Sequence, residues 1–460
     1  MIVDLLKPEF DELIEEKDWV ALKEILNEVP AVDVAELLEG LDNNVAAVIF
    51  RLLKKPKAAD VFSHLNAAKG AELLDLFTAQ QLSEVMSNLE PDERVALLEE
   101  LPGRLTQRVL NSMRFDDRKM VQKLLGYPEE SVGRLMTPQY VKVRENWTVR
   151  QAMNHIRKFG HSAETVNVIY VVDDQEHLID DLSLNELILA DPEAKISTLM
   201  DHNFEAMRAS DDQEEAVNML SKYDRVALPV IDSDGILVGI VTVDDVIDVA
   251  EEETTEDMQL MAGMDALEDY YSQTSITDMV QKRIGWLAIL FLGELLTTSV
   301  LGKYESFIAT VPVLTLFIPM ILASGGNSGN QAATLIIRAL STDDIDLSDW
   351  LKVFGRELLS GLLLGFLMAI VGFTVIMGYG FFDNAAITRQ MVVSAIVVGC
   401  SLIGVVLWGN LSGSMLPFIL SKIGLDPAVT SAPFVSTLSD VMGIFIYFSI
   451  AVMLLAVLNI

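Results

Sequence analysis

Asp440 is the one charged side chain in FVSTLSDVMGIFIYFSI, residues 434–450, and it sits in the middle of a long apolar run. A lone carboxylate at membrane depth costs about 3 kcal/mol or more unless it faces a cavity, a partner or an ion, so a functional role is its default reading. Thr430, Ser431, Ser436, Thr437 and Ser439 are expected to form a polar stripe beside it, and Pro427 and Pro433 to loosen the helix and free backbone carbonyls. Glu294 is the other acid within these apolar segments. It reads either as a second ion ligand or as a carboxylate hydrogen-bonded to a neighbouring helix or snorkelling to the interface.

A second signal is SGGNSGNQAATLIIR, residues 324–338, which crowds three glycines with Asn327, Asn330 and Gln331. Such a stretch reads as a poor membrane helix and a good break, offering carbonyl and amide oxygens to a pore. The competing reading is close helix packing through small residues, which is also expected of Gly361 with Gly365 and of Gly409 with Gly413. Packing alone does not need the side-chain amides.

Several chemistries are excluded. All five histidines (His64, His155, His161, His177 and His202) precede residue 284, so a Ser/His or His–metal site inside the membrane is ruled out. An intramembrane aspartyl protease needs two apposed aspartates, and only Glu294 offers a second acid. No GxxxxGK[ST] loop occurs. Transport down a gradient remains.

The elements that must position these residues follow from composition. The chain has 460 residues, 51% of them hydrophobic and 22% charged, with a formal net charge of -34. Residues 284–460 hold ten acids and six bases, so residues 1–283 hold 57 and 27. An acidic water-exposed part is thus joined to a nearly neutral membrane part. That charge argues against nucleic acid or anionic lipid as partners and leaves cations, although a soluble surface alone could use it. Cys400 is the only cysteine, and the acidic N-terminus lacks a signal-peptide pattern, so the first part is expected in the cytosol.

Residues 1–130 carry a twelve-residue rhythm of apolar residue followed by turn, from Val29-Pro30 through Leu65-Asn66 to Leu125-Gly126. Each period suits one short helix, and pairs of them must stack on their neighbours. From there NVIYVVDDQEHLIDDLSLNEL and VALPVIDSDGILVGIVTVDDV are two versions of one strand, turn, strand and helix plan. Residues 134–252 therefore resemble a tandem pair of CBS domains. A polar helical connector is expected over 253–283. Five apolar segments follow, at about 284–302, 307–340, 358–380, 391–420 and 427–459, each long enough to span a bilayer. With the N-terminus inside, Lys282, Arg283, Arg338, Lys352, Arg356 and Lys422 are cytosolic, and only Lys303 and Arg389 face out. The fold class is therefore a multidomain membrane protein: an all-α helical-repeat N-domain, an α/β tandem CBS pair and a five-helix transmembrane domain over 284–460. The odd span count puts the C-terminus outside.

Over essentially its full length the chain resembles the MgtE family of magnesium transporters. The likeness rests on the helical-repeat domain, the CBS pair, VDDVIDVAEEETTED, GGNSGNQAATLIIRAL, NLSGSMLPF and DPAVTSAPFVSTLSDVMG. It implies a homodimeric Mg2+-selective channel of the plasma (inner) membrane, with Asp440 at the ion-selecting position and Asn327 and Asn330 beside the pore. It also implies closure by cytosolic Mg2+ at carboxylates such as Asp244, Asp245, Asp248, Glu252, Glu256 and Asp257. CBS pairs often bind adenine nucleotides, and Thr242 with Asp245 matches that signature in the second copy. The first copy departs from it, having Ser183 with Glu186, and Asp180-Asp181 where Val-Gly or Gly-Val is usual. A nucleotide-free dimerisation module remains the alternative. Two other readings of the whole chain stay open: a sodium-coupled carrier with a second ion site at Glu294, and a membrane sensor without transport.

Overall fold

The computed structural model describes residues 2–267, 271, 274–342, 344–382, 388–429 and 432–457. They divide into two compact units, Met1–Glu251 and Glu252–Ile460.

The first unit opens with α1 (Ile2–Glu16). The twelve-residue rhythm then becomes a run of helices whose first residues fall twelve apart: α2 (Trp19–Glu28), α3 (Ala31–Glu39), α4 (Asn43–Phe50), α5 (Lys55–Ser63), α6 (Ala67–Leu76), α7 (Ala79–Asn88), α8 (Pro91–Glu100), α9 (Gly103–Ser112) and α10 (Phe115–Leu124). From Pro30 to Arg114 the residue after the apolar one is the N-cap. Asp42 accepts from the Asn44 amide, Asn66 from Lys69, and Thr78 closes a capping box with Gln81. Alternate helices pack on one another, α3 on α5, α5 on α7 and α7 on α9, because a ten-residue amphipathic helix cannot bury its apolar face alone.

After α11 (Val132–Leu135) come the duplicated units. The first contains β1 (Lys142–Arg144), α12 (Val149–Phe159), β2 (Val168–Val172), β3 (Leu178–Ser183) and α13 (Leu184–Leu189); the second contains β4 (Met207–Arg208), α14 (Gln213–Tyr223), β5 (Ala227–Ile231) and β6 (Leu237–Thr242). Each forms a three-stranded sheet with one parallel and one antiparallel pairing, and each carries an irregularity at the same place, Val171/Val172 and Val230/Ile231. Tyr170 and Val172 of the first sheet share a core with Leu237 and Ile240 of the second, and α8, α10 and α11 share another with Met207, Leu228 and Val246.

α15 (Val243–Met261) starts directly after β6 and ends near Gly263, whose φ of +77° few residues other than glycine adopt. α16 (Ile276–Lys303) begins after Ser275, which caps it through the Asp278 amide. The connector helix expected over 253–283 is therefore interrupted, its two ends belonging to α15 and α16.

The second unit continues with α17 (Glu305–Thr310), α18 (Ile318–Ser341), α19 (Trp350–Phe382), α20 (Arg389–Lys422) and α21 (Ala432–Val457). Among the described residues four helices are long and apolar enough to cross a membrane: Ile276–Lys303, Leu347–Gly378, Arg389–Lys422 and Ala432–Val457. The segment expected at 307–340 is divided. A 3-10 turn at Pro312–Phe317 separates α17 from α18, and the polar residues of α18 keep it out of the apolar group. SGGNSGNQ is no break, since α18 runs through it without interruption. Pro433 lies in the first turn of α21, where a missing N–H interrupts nothing, and Pro427 opens a 3-10 turn. Neither loosens a helix.

Candidate functional site

α20 packs between α18 and α19, and α21 lies against α16, α18 and α20. Glycines set the closest of these approaches. A β-carbon on Gly409 would fall 2.2 Å from the Gly325 carbonyl oxygen, and Gly361 and Gly365 bring α19 onto α20 in the same manner. Both competing expectations for 324–338 are thereby decided in favour of packing for the glycines, while the amides have separate work.

Asp440 is half-buried on α21. One turn earlier, Ser436 Oγ accepts from Asn330 Nδ2 at 3.1 Å, joining α21 to α18. Asn327 is exposed. Glu294 reaches Asp440 as a carboxyl–carboxyl contact between α16 and α21. The hydroxyls around Asp440 do not form one stripe. Ser439 is fully buried against α18 with no partner for its Oγ, Thr437 donates to the Pro433 carbonyl, and Thr430 and Ser431 lie outside the described residues.

Sequence reading overlooked a further acid. Glu357 lies inside α19, because that helix begins several residues before the apolar run that was used to place it. Its Oε2 accepts from Asn410 Nδ2 at 2.6 Å. In the sequence Glu357 directly follows Arg356 at the edge of an apolar run, so nothing local marked it as a partner of Asn410.

In the first unit, carboxylates gather at the start of α8 and of α15, with Arg94 and His64 only partly offsetting their mutual repulsion. Asp92 on α8 is 8% exposed, and its Oδ1 and Glu90 Oε2 are buried without hydrogen-bond partners. Burial, followed by the neighbouring Asp245 carboxylate, pushes the Asp92 pKa up to about 8. Burial likewise raises Asp245 to about 6, with the nearby Asp244 and Asp248 carboxylates adding to it. Burial raises Asp248 too. Glu90 and Asp92 escaped the sequence reading, although three acids crowd Pro91 in LEPDER. In the second unit, Glu252, Glu256 and Asp257 follow on α15. Asp257 is pushed up to about 6 by burial and then by Asp426 and Glu253, against the pull of Arg338. Among the described residues no three His, Cys, Asp or Glu side chains already converge as a ready metal site.

At the nucleotide-type signature, Thr242 Oγ1 donates to Asp245 Oδ2 at 2.6 Å. The first copy uses its counterparts otherwise: Ser183 and Glu186 form the capping box of α13. Asp180 is fully buried and accepts from the Asp181 and His202 amides, and Asp181 pairs with Arg225 at 2.6 Å. Its extra carboxylates are thus already satisfied.

Comparison with known proteins decides the family. Residues 318–450 match the divalent cation transporter model MgtE, residues 29–130 the MgtE intracellular N domain, and 132–193 and 196–252 the CBS domain. The chain is 40% identical over 448 residues to the magnesium transporter MgtE of Thermus thermophilus, covering 96% of this chain and 97% of that one. The chain belongs to the MgtE family. The magnesium transporter MgtE of Bacillus subtilis is 30% identical over 93% of both chains. A solved structure of the cytosolic domain of the Mg2+ channel MgtE in complex with ATP, 38% identical, covers 52% of this chain and 98% of its own with a TM-score of 0.50. Members are named for magnesium transport, a non-enzymatic function, and the apolar helices of this MgtE-family chain make it membrane-embedded.

Proposed function

We infer that this chain is a Mg2+-selective channel that admits Mg2+ down its electrochemical gradient and closes when cytosolic Mg2+ binds its acidic part. The carrying observation is Asp440, a half-buried carboxylate in an apolar helix, one turn from the Asn330–Ser436 bridge. Mg2+ dehydrates reluctantly and is usually held through its waters by one or two carboxylates. In a homodimer two Asp440 side chains across a two-fold axis would supply that, with Asn327 and Asn330 as oxygen donors to the hydrated ion. An inside-negative potential favours entry of a divalent ion by about 4.6 kcal/mol per 100 mV, twice the single-charge value, so no ATP hydrolysis is needed.

Closure is assigned to two acidic groups, Asp92 with Asp244, Asp245 and Asp248, and Asp257 with Glu252, Glu256 and Asp426. The raised Asp92, Asp245 and Asp257 pKa values support it, since a site that disfavours its own charge gains most from a bound cation. ATP is assigned to Thr242 and Asp245 at the CBS pair, supported by the related ATP complex. The N-terminus is placed in the cytosol of a plasma (inner) membrane protein and the C-terminus outside.

The Glu294–Asp440 contact carries a second reading, a sodium-coupled carrier with two acids at one ion site. Single-channel recording of the full-length protein in planar bilayers separates the two. Unitary Mg2+ currents independent of Na+, and closed by Mg2+ on the side of the soluble part, are expected; saturable uptake without unitary events, abolished by removing Na+, would replace the channel by the carrier.

A further inference from the structure

Glu357 and Asn410 form a polar junction between α19 and α20 that ion holding by Asp440 does not require. Asn410 is 3% exposed, and its Nδ2 donates both to the Glu357 carbonyl oxygen at 2.9 Å and to Glu357 Oε2 at 2.6 Å. Its Oδ1 faces Ser328 Oγ of α18 at 3.4 Å, the same distance that separates that hydroxyl from the Val406 carbonyl. One side chain of α20 therefore engages both neighbours. The backbone leaves no slack beside it, because Gly409 and Gly413, which flank Asn410, touch the Gly325 and Gly329 carbonyls of α18. A rotation of α20 about its axis must then shift α18, and α18 carries Asn327 and Asn330, the latter held to Ser436 one turn before Asp440.

We propose that Glu357 is a positioning residue for ion selection: by fixing Asn410 it sets the rotation of α20, and through the glycine contact and Ser328 it sets where α18 presents its amides beside Asp440. The Glu357 acceptor is aimed at the side-chain amide of the buried Asn410, a polar contact that packing through small residues does not need. The inference rests on the reading of Asp440 as the ion-holding residue.

The test is the permeability ratio of Mg2+ to Ca2+ in full-length protein reconstituted into vesicles, a property of each open channel that does not depend on how much protein folds. Glu357→Ala should lower the ratio roughly tenfold, on the scale of one lost hydrogen bond to a charged group. Glu357→Gln keeps an acceptor for Asn410 and should retain most of it. Asn410→Asp sets carboxylate against carboxylate and should lower the ratio, and combining it with Glu357→Gln restores a donor and an acceptor and should recover most of the loss. A ratio unchanged in Glu357→Ala while the thermal midpoint falls would make the junction a structural clasp only and overturn the proposal. Where Glu357→Ala yields no folded protein, failure of the paired variant to recover the Asn410→Asp loss overturns it instead. Asp440→Ala is measured alongside: a normal ratio there sinks the ion-holding reading, whatever the Glu357 variants do.

Discussion

A β-carbon built on Gly413 of α20 would lie 2.0 Å from the carbonyl oxygen of Gly329 on α18. Backbone thus meets backbone where α18 and α20 cross, and neither helix can yield without moving its whole length. Gly413→Val is expected to lower stability by about 1–3 kcal/mol or more, the usual cost of overpacking. Thermal unfolding of the purified protein in detergent checks it; an unchanged midpoint would mean that the two helices separate readily.

Asp440→Ala should leave a folded protein while abolishing or degrading Mg2+ selectivity. Loss of a carboxylate that water or lipid must otherwise solvate does not harm the fold, whereas a hydrated divalent ion loses its counter-charge. Uptake of Mg2+ measured in competition with Ca2+ decides this, and normal discrimination with normal uptake counts against the proposed site.

Mg2+ should tighten the first unit through the Asp92 group. Proteolysis of the full-length protein is expected to be fast in chelator and slow in millimolar Mg2+, with Na+ at equal ionic strength giving no protection. Asp92→Asn removes a carboxyl that is largely protonated near neutral pH without Mg2+ and that Mg2+ binding would ionise, so the variant should digest in chelator much as the native chain does and gain less protection from Mg2+. Equal protection by Na+ would reduce the effect to general screening.

ATP binding should depend on Asp245 and not on Glu186. Calorimetry on the full chain is expected to show affinity reduced by at least about tenfold in Asp245→Ala, where charge-assisted contacts to the ligand are lost. Glu186→Ala should change affinity little, because that side chain is occupied in capping α13. Equal losses in both variants would point to collapse of the CBS pair rather than to a binding site.

The sequence by itself determined the periodic and compositional features of this protein. Nine helices start twelve residues apart because apolar residues and turn or cap residues recur at that interval, and the local hydrogen bonds that Asp18, Asp42, Asn66 and Thr78 make as caps need no distant partner. The duplicated sheets, the acidic excess of the first 283 residues and the apolar runs were legible for the same reason, as was Asp440, whose charge contrasts with its own neighbours along the chain. Only the tertiary structure decided what SGGNSGNQ does. Glycine both weakens a helix and lets another approach, so the local signal was ambiguous, and contact with Gly409 and Gly413, some eighty residues away in sequence, resolved it. Glu357 stayed hidden because helix ends are set by capping and packing rather than by hydropathy, and the cluster of Asp92 with Asp245 because α8 and the start of α15 meet only after the repeats have stacked. Contacts between residues so far apart depend on how rigid elements pack, and no local pattern of side chains encodes that packing on its own.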